Sequence, residues 1–237
     1  MLPHRTQPQS DGSLSDWFAL RAVIRGVVAA LAIIALLHRV CMAQGPGGVG
    51  IISEIEGVVT LVHQGRSVQL KSGMAVENND KLATGRGARV TISFGDKSTL
   101  TLGESATIVV NEGMTAADSG ISRVGLLGGH LHTIFNAGLR GLGTGFEVRT
   151  PNAIIGVRGT EFKTAYITGT PCPGFPNCTR YTDVGVIKGR VEVRNPLNPK
   201  AAPVIADAGF ETTVPCEEPP AAPSPLGMDQ MLTPGYK

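Results

Sequence analysis

Residues 146–166, FEVRTPNAIIGVRGTEFKTAY, constrain the fold more than any other stretch of the chain. Phe146 and Val148 alternate with Glu147 and Arg149, a period of two that gives a strand one apolar and one polar face. After Thr150, Pro151 and Asn152 break the run, because proline cannot donate to a sheet ladder and suits a turn. Residues 153–157 are apolar, with Gly156 inside them and Val157 at their end. Gly156 and Gly159, on either side of Arg158, are expected where backbone bends or packs too closely for a Cβ. Beyond Thr160, the side chains of Phe162, Thr164 and Tyr166 share one face of the next strand. The stretch therefore reads as strand, turn, short buried segment, glycine turn and strand: the corner of an all-β domain, and not a catalytic centre.

The same grammar recurs from Ile51 onward. Ala88, Val90, Ile92 and Phe94 fall on one face, and Gly95, Asp96 and Lys97 turn the chain toward Leu100 and Leu102, which predicts a hairpin. Val184 and Val186 are expected to form another with Val191 and Val193 around Lys188 and Gly189. With 31 glycines and 16 prolines, turns are frequent, and no helical apolar face appears after residue 45. The fold class is all-β, with short strands in a β-helix-like or sandwich arrangement.

The N-terminus differs. Residues 26–37, GVVAALAIIALL, are an unbroken apolar run. As a helix it would span about 18 Å, short of the ~30 Å hydrocarbon layer but suited to a secretory signal. Residues 1–43 are assigned to a signal peptide, with a retained anchor as the alternative, and residues 44–51 to a linker. The linker's GPGGVG matches G-x-G-x-x-G but lacks the strand before and helix after that a nucleotide site requires. Residues 52–214 form the β domain. Residues 215–237, with six prolines and few large apolar groups, read as a disordered tail.

Net charge is +2, and all of that excess lies in residues 1–43, so the body offers no clustered charge for nucleic acid. Outside the cytosol, Cys172 and Cys178, spaced C-x5-C among Pro, Gly and Asn, favour a local disulfide, which leaves Cys216 odd. His130 and His132 sit at i and i+2 on one strand face, but no neighbouring carboxylate or third histidine completes a metal set, and they read as exposed strand residues. Arg158 is expected to donate to backbone carbonyls or to Glu161. No nucleophile elbow, P-loop or H-E-x-x-H motif is present, so no catalytic residue, cofactor or metal is assigned.

Several fragments together resemble the FecR domain: GVV at 57–59, GMAVENNDKLATGRGARVTISFGDKSTLTL at 73–102, GGHLH at 128–132, TPNAIIGVRGTEF at 150–162 and GVIKGRVEV at 185–193. The most specific part is TP…GVRGT, that is Thr150, Pro151, Gly156, Val157, Arg158, Gly159, Thr160 and then Phe162. The resemblance implies an all-β periplasmic module. Familiar members of that family are transmembrane regulators of siderophore uptake, with a longer cytoplasmic segment than the roughly 25 residues that here precede the apolar run. What carries over is domain and compartment. The expectation is a non-enzymatic, exported binding module of the cell envelope, whose partner is an envelope protein or polysaccharide, and whose contact surface is made of sheet edges and the loop at 168–183. A membrane-anchored signal relay is the second reading.

Overall fold

Alternation along the strands becomes two facing layers in the computed structural model, which describes residues 49–110, 121–136 and 145–227. The proposed signal segment, residues 111–120 and 137–144, and residues 228–237 of the expected tail lie outside these residues. Among the described residues there is no helix. The first sheet runs in the order β4 (Ala75–Val76), β1 (Gly50–Glu56), β6 (Arg89–Ser93), β7 (Thr99–Leu102), the second half of β9 (Ile121–Ile134), β12 (Glu161–Thr168), β13 (Arg180–Lys188), β16 (Phe210–Pro215) and β17 (Ser224–Pro225). The second runs β3 (Arg66–Gln69), β2 (Val59–His63), β5 (Lys81–Thr84), β8 (Thr107–Val110), the first half of β9, β10 (Gly145–Arg149), β11 (Ile154–Val157), β14 (Arg190–Arg194) and β15 (Val204–Asp207). All pairings are antiparallel except β9 with β10.

β9 therefore belongs to both layers. Its bend falls at Gly129, where φ is +78° and a Cβ would lie 2.6 Å from the Ala106 Cα. Only glycine fits that position. Side chains from both layers meet in one core: Ile92, Leu102 and Phe162 from the first, Leu82, Ile108 and Ile155 from the second, all fully buried. Each such side chain contributes about 1.5–3 kcal/mol of burial free energy.

The 146–166 stretch is the predicted corner. β10 and β11 form a hairpin in the second sheet, and the chain then crosses to β12 in the first. Gly159, at φ +67°, makes the crossing. Gly189, at φ +85°, makes the matching one between β13 and β14, and a Cβ on it would sit 2.9 Å from the Gly159 carbonyl. So the two valine pairs of 184–193 are not hairpin partners: they face each other across the core from opposite sheets. The predicted β6–β7 hairpin does form.

The expected boundaries move. Residues 49–51, given to the linker, belong to the domain: Val49 donates to Val76 at 2.7 Å and Gly50 starts β1. Residues 215–227 are held against the first sheet, with Ala221 N donating to Thr213 O and Leu226 N to Gly209 O, each at 2.8 Å. Low apolar content did not predict this because the strap is fixed mainly by main-chain bonds, which composition does not encode.

The cysteine pairing also changes. Cys178 is bonded to Cys216, with 5.8 Å between Cα atoms, and Cys172 is a buried free thiol. The register of β13 on β16 is the reason. It places Cys216 N within hydrogen-bonding distance of Arg180 O (3.1 Å), bringing Cys216 beside the start of β13. Proximity in sequence favoured the pair six residues apart; strand pairing delivers the pair separated by 38.

Candidate functional site

The outer face of the first sheet carries the site. Because Phe162, Thr164 and Tyr166 point inward, Lys163, Ala165 and Ile167 point outward from β12. Strand register then builds two rows across the face. One reads His130, Ala165, Asp183, Thr213; the next reads His132, Lys163, Gly185, Glu211. Ala165 and Gly185 are too small to fill their positions, and a hollow of about 270 Å³ opens over them. Pro173 from the loop at 169–179 and Leu226 from the strap complete its walls. A Cβ on Gly185 would come within 2.8 Å of Leu226 Cδ1, so this leucine is seated in the notch that glycine leaves.

Every titratable group around the hollow has lost water. Burial raises the Asp183 carboxyl above its ordinary value, against a 2.6 Å hydrogen bond donated by Thr213 Oγ1 that pulls the other way. Burial also raises Glu211, and the charge of Asp183 adds to it. Lys163 is lowered by burial, with Glu161 opposing. His130 and His132 are both lowered by burial, and His132 Nε2 lies 3.1 Å from Glu161 Oε1. Neither histidine is fully exposed, which corrects the strand-surface expectation. Their neighbours are β12 side chains that sequence distance conceals. Asp183 and Glu211 form no ion pair among the described residues, and no cluster of three metal-binding side chains forms among them either. A hollow with apolar walls and a few convergent, poorly hydrated polar groups has the character of a binding site.

The TP…GVRGT residues lie elsewhere and hold the corner. Thr150 Oγ1 is 2.7 Å from Thr182 Oγ1, Thr182 donates to Asn152 Oδ1 at 2.6 Å, and Asn152 Nδ2 donates to the Val214 carbonyl at 2.7 Å. Ala153 N donates back to Thr150 Oγ1 at 2.9 Å. This buried relay ties the β10–β11 turn to β13 and β16, while Pro151 at the tip is exposed. Thr160 Oγ1 donates to Arg190 O at 2.9 Å, and its main chain exchanges two hydrogen bonds with Phe135. Val157 and Phe162 enter the core. Gly156 needs no close approach: a Cβ there would meet nothing nearer than Glu192 O at 4.0 Å. Arg158 does not reach Glu161, which faces His132 instead; it is exposed and lines a shallower groove with Glu147, Arg190 and Glu192.

Sequence reasoning missed Asp183, Glu211 and Leu226 as site residues. The available signal was Ala165 and Gly185 at outward positions of otherwise well-filled strands, but only the register puts the two side by side.

The family model described as FecR protein matches residues 80–192. The chain contains a FecR domain. That match covers the β9 bend, the corner and three of the four strands beneath the hollow (β9, β12 and β13) in full; β16 and the strap follow it. Two crystal structures of a candidate anti-sigma factor from Parabacteroides distasonis ATCC 8503, at 1.65 Å and 2.50 Å resolution, are similar to the chain, each with a TM-score of 0.50 and 16% sequence identity. Each comparison covers 64% of this chain and 62% of the other, and at that identity the likeness concerns the fold. No curated protein matches the chain.

Proposed function

We propose that this FecR-domain protein is a non-enzymatic binding module of the cell envelope, and that its contact surface is the hollow over Ala165 and Gly185. The observation that carries the reading is the adjacency of Asp183 and Glu211, two poorly hydrated carboxylates without an ion-pair partner among the described residues, in a hollow that Ala165, Gly185, Pro173 and Leu226 share with His130 and Lys163. A cationic group entering the hollow would supply the missing charge, so the partner is a protein segment bearing Lys or Arg. The edges of the first sheet are weaker candidates, since it ends in the two-residue strands β4 and β17.

The test is an NMR titration of the full chain with Lys/Arg-rich and Asp/Glu-rich peptides of equal length. Basic peptides are expected to shift amides of residues 163–167, 183–185 and 211–213, and to lose affinity at least tenfold in the Asp183→Asn, Glu211→Gln variant. Equal response to both peptide classes, or none at these amides, would remove the proposal.

A second reading, a membrane-anchored relay of the FecR type, draws on the fold shared with a candidate anti-sigma factor and on the apolar run at residues 26–37. Sequencing the N-terminus of protein recovered from the envelope separates the two. A start near Gln44 supports the exported module; an intact N-terminus supports the relay.

A further inference from the structure

Cys172, Cys178 and Tyr181 form a small apolar cluster of their own, and Cys216 and Ile167 pack against it. A free thiol and a disulfide thus share one pocket. Cys172 N donates to Cys178 O at 2.7 Å. The antiparallel bridge of Cys172 is to Phe175, but this main-chain bond and the shared side-chain cluster hold Cys172 and Cys178 side by side, and a disulfide tolerates a Cα separation of roughly 4.4–6.8 Å. The alternative bridge between Cys172 and Cys178 is therefore within geometric reach of the folded loop.

The existing bridge has a mechanical role. It fastens the start of the strap, residues 216–227, to the loop at 169–179, and the far end of that strap places Leu226 in the hollow. The strap's other anchors are the exposed Arg180–Glu217 ion pair and hydrogen bonds: Asn195 Nδ2 to the carbonyls of Cys216 and Glu218, each at 2.8 Å, Thr212 Oγ1 to Ala221 O at 2.7 Å, Ala221 N to Thr213 O and Leu226 N to Gly209 O, each at 2.8 Å, and the two-residue pairing of β17 on β16. Short edge elements held this way open locally at low cost.

We propose that thiol–disulfide exchange within this cluster unfastens the strap and uncovers the hollow, which adds regulation to the binding site proposed above and rests on that reading. The Cys172 thiol loses its proton to solvent, and its thiolate attacks Cys178 Sγ. The Cys178–Cys216 bond breaks as the Cys172–Cys178 bond forms, and Cys216 leaves as a thiolate that takes up a proton. One disulfide and one thiol are present before and after, so no oxidant or reductant is consumed. Burial and the charge of Asp183 hold the Cys172 thiol above its ordinary range, and Tyr181 packs beside it. Exchange is therefore slow at neutral pH and accelerates as pH rises. The covalent ring shrinks from a separation of 38 residues to one of six, wholly inside the loop, and the strap no longer belongs to it.

The full chain is incubated at pH 7 and pH 9 without added redox reagent, quenched in acid, unfolded and labelled with a maleimide, and the labelled cysteine is located by peptide mass mapping. Label is expected on Cys172 at the start and increasingly on Cys216 with time, at least tenfold faster at pH 9. Label confined to Cys172 after a day at pH 9 would overturn the exchange. Hydrogen exchange at the Leu226 amide then reads the strap: protected in Cys172→Ser, which cannot exchange, and at least tenfold less protected in wild-type chain after conversion. Equal protection would overturn the unfastening. A basic peptide separates this idea from the one beneath it. Loss of strap protection with no peptide bound in either form refutes the binding reading alone, whereas binding that is the same before and after conversion refutes the regulation alone.

Discussion

Replacing Asn152 with alanine should be among the most damaging single changes in the domain, although the side chain is polar and does not line the hollow. Its carboxamide is fully buried, accepts from Thr182 Oγ1 at 2.6 Å and donates to Val214 O at 2.7 Å. Each lost hydrogen bond is worth about 1 kcal/mol net, and a buried hydroxyl left without its acceptor adds about 1–3 kcal/mol, so a loss of roughly 3 kcal/mol is expected. For a chain of this size that lowers Tm by roughly 6–12 °C. Pro151→Ala at the exposed tip of the same turn is the control. It changes mainly unfolded-state entropy and should cost about 0.4–1 kcal/mol. Urea unfolding of both variants, followed by tryptophan-independent far-UV signal, gives the two values at unchanged m. A loss below about 1 kcal/mol in Asn152→Ala would show that water or the threonine hydroxyls replace the carboxamide, and would refute the relay as the fastening of the corner.

Other outcomes follow from single sites. Asp183 is raised by burial, so its ionisation in the folded state carries a cost that is absent below its ordinary value of 3.8 and appears as pH rises through the window above it. Asp183→Asn keeps an acceptor for Thr213 and should stabilise the protein at pH 7 but not at pH 3, as read by urea midpoints; the reverse ordering would contradict the assigned cause. His63 is raised above 6.5 mainly by its 2.6 Å hydrogen bond to Asp80, so the pair's contribution is present below 6.5 and disappears as pH climbs through the folded value. An NMR titration of His63 should show a midpoint above 6.5 that Asp80→Asn brings down. Gly129→Ala forces a Cβ to within 2.6 Å of the Ala106 Cα at positive φ, and the variant should lose several kcal/mol or fail to fold in a thermal melt.

What could be read from the chain was what depends on near neighbours. Alternation of apolar and polar residues located β6, β7, β10 and β12, and Gly159 marked the corner because a single residue's φ decides a crossing. What could not be read depends on register between distant strands. Val184 and Val191 look like hairpin partners at seven residues apart, yet Gly189 between them turns the chain into the other sheet. Cys216 looked unpaired because nothing in its neighbourhood shows that β16 lies on β13. The hollow is hidden for the same reason, since Ala165 and Gly185 are unremarkable until pairing sets them side by side.

The same distinction bears on which surface of a FecR domain carries its contacts. The residues that make the family recognisable in this chain, from Thr150 to Phe162, are spent mostly on the corner: Asn152 and Thr160 hold main-chain carbonyls, and Val157 and Phe162 fill the core. A motif consumed in this way keeps the two sheets in register and says little about the partner. Asp183, Glu211 and Leu226 sit on that scaffold at outward positions, where a substitution alters the hollow and leaves the corner relay in place. Two of them, Glu211 and Leu226, lie beyond the matched residues 80–192. On the proposed reading, the family segment supplies the platform, and recognition is set by what the chain lays over it from β16 and the strap.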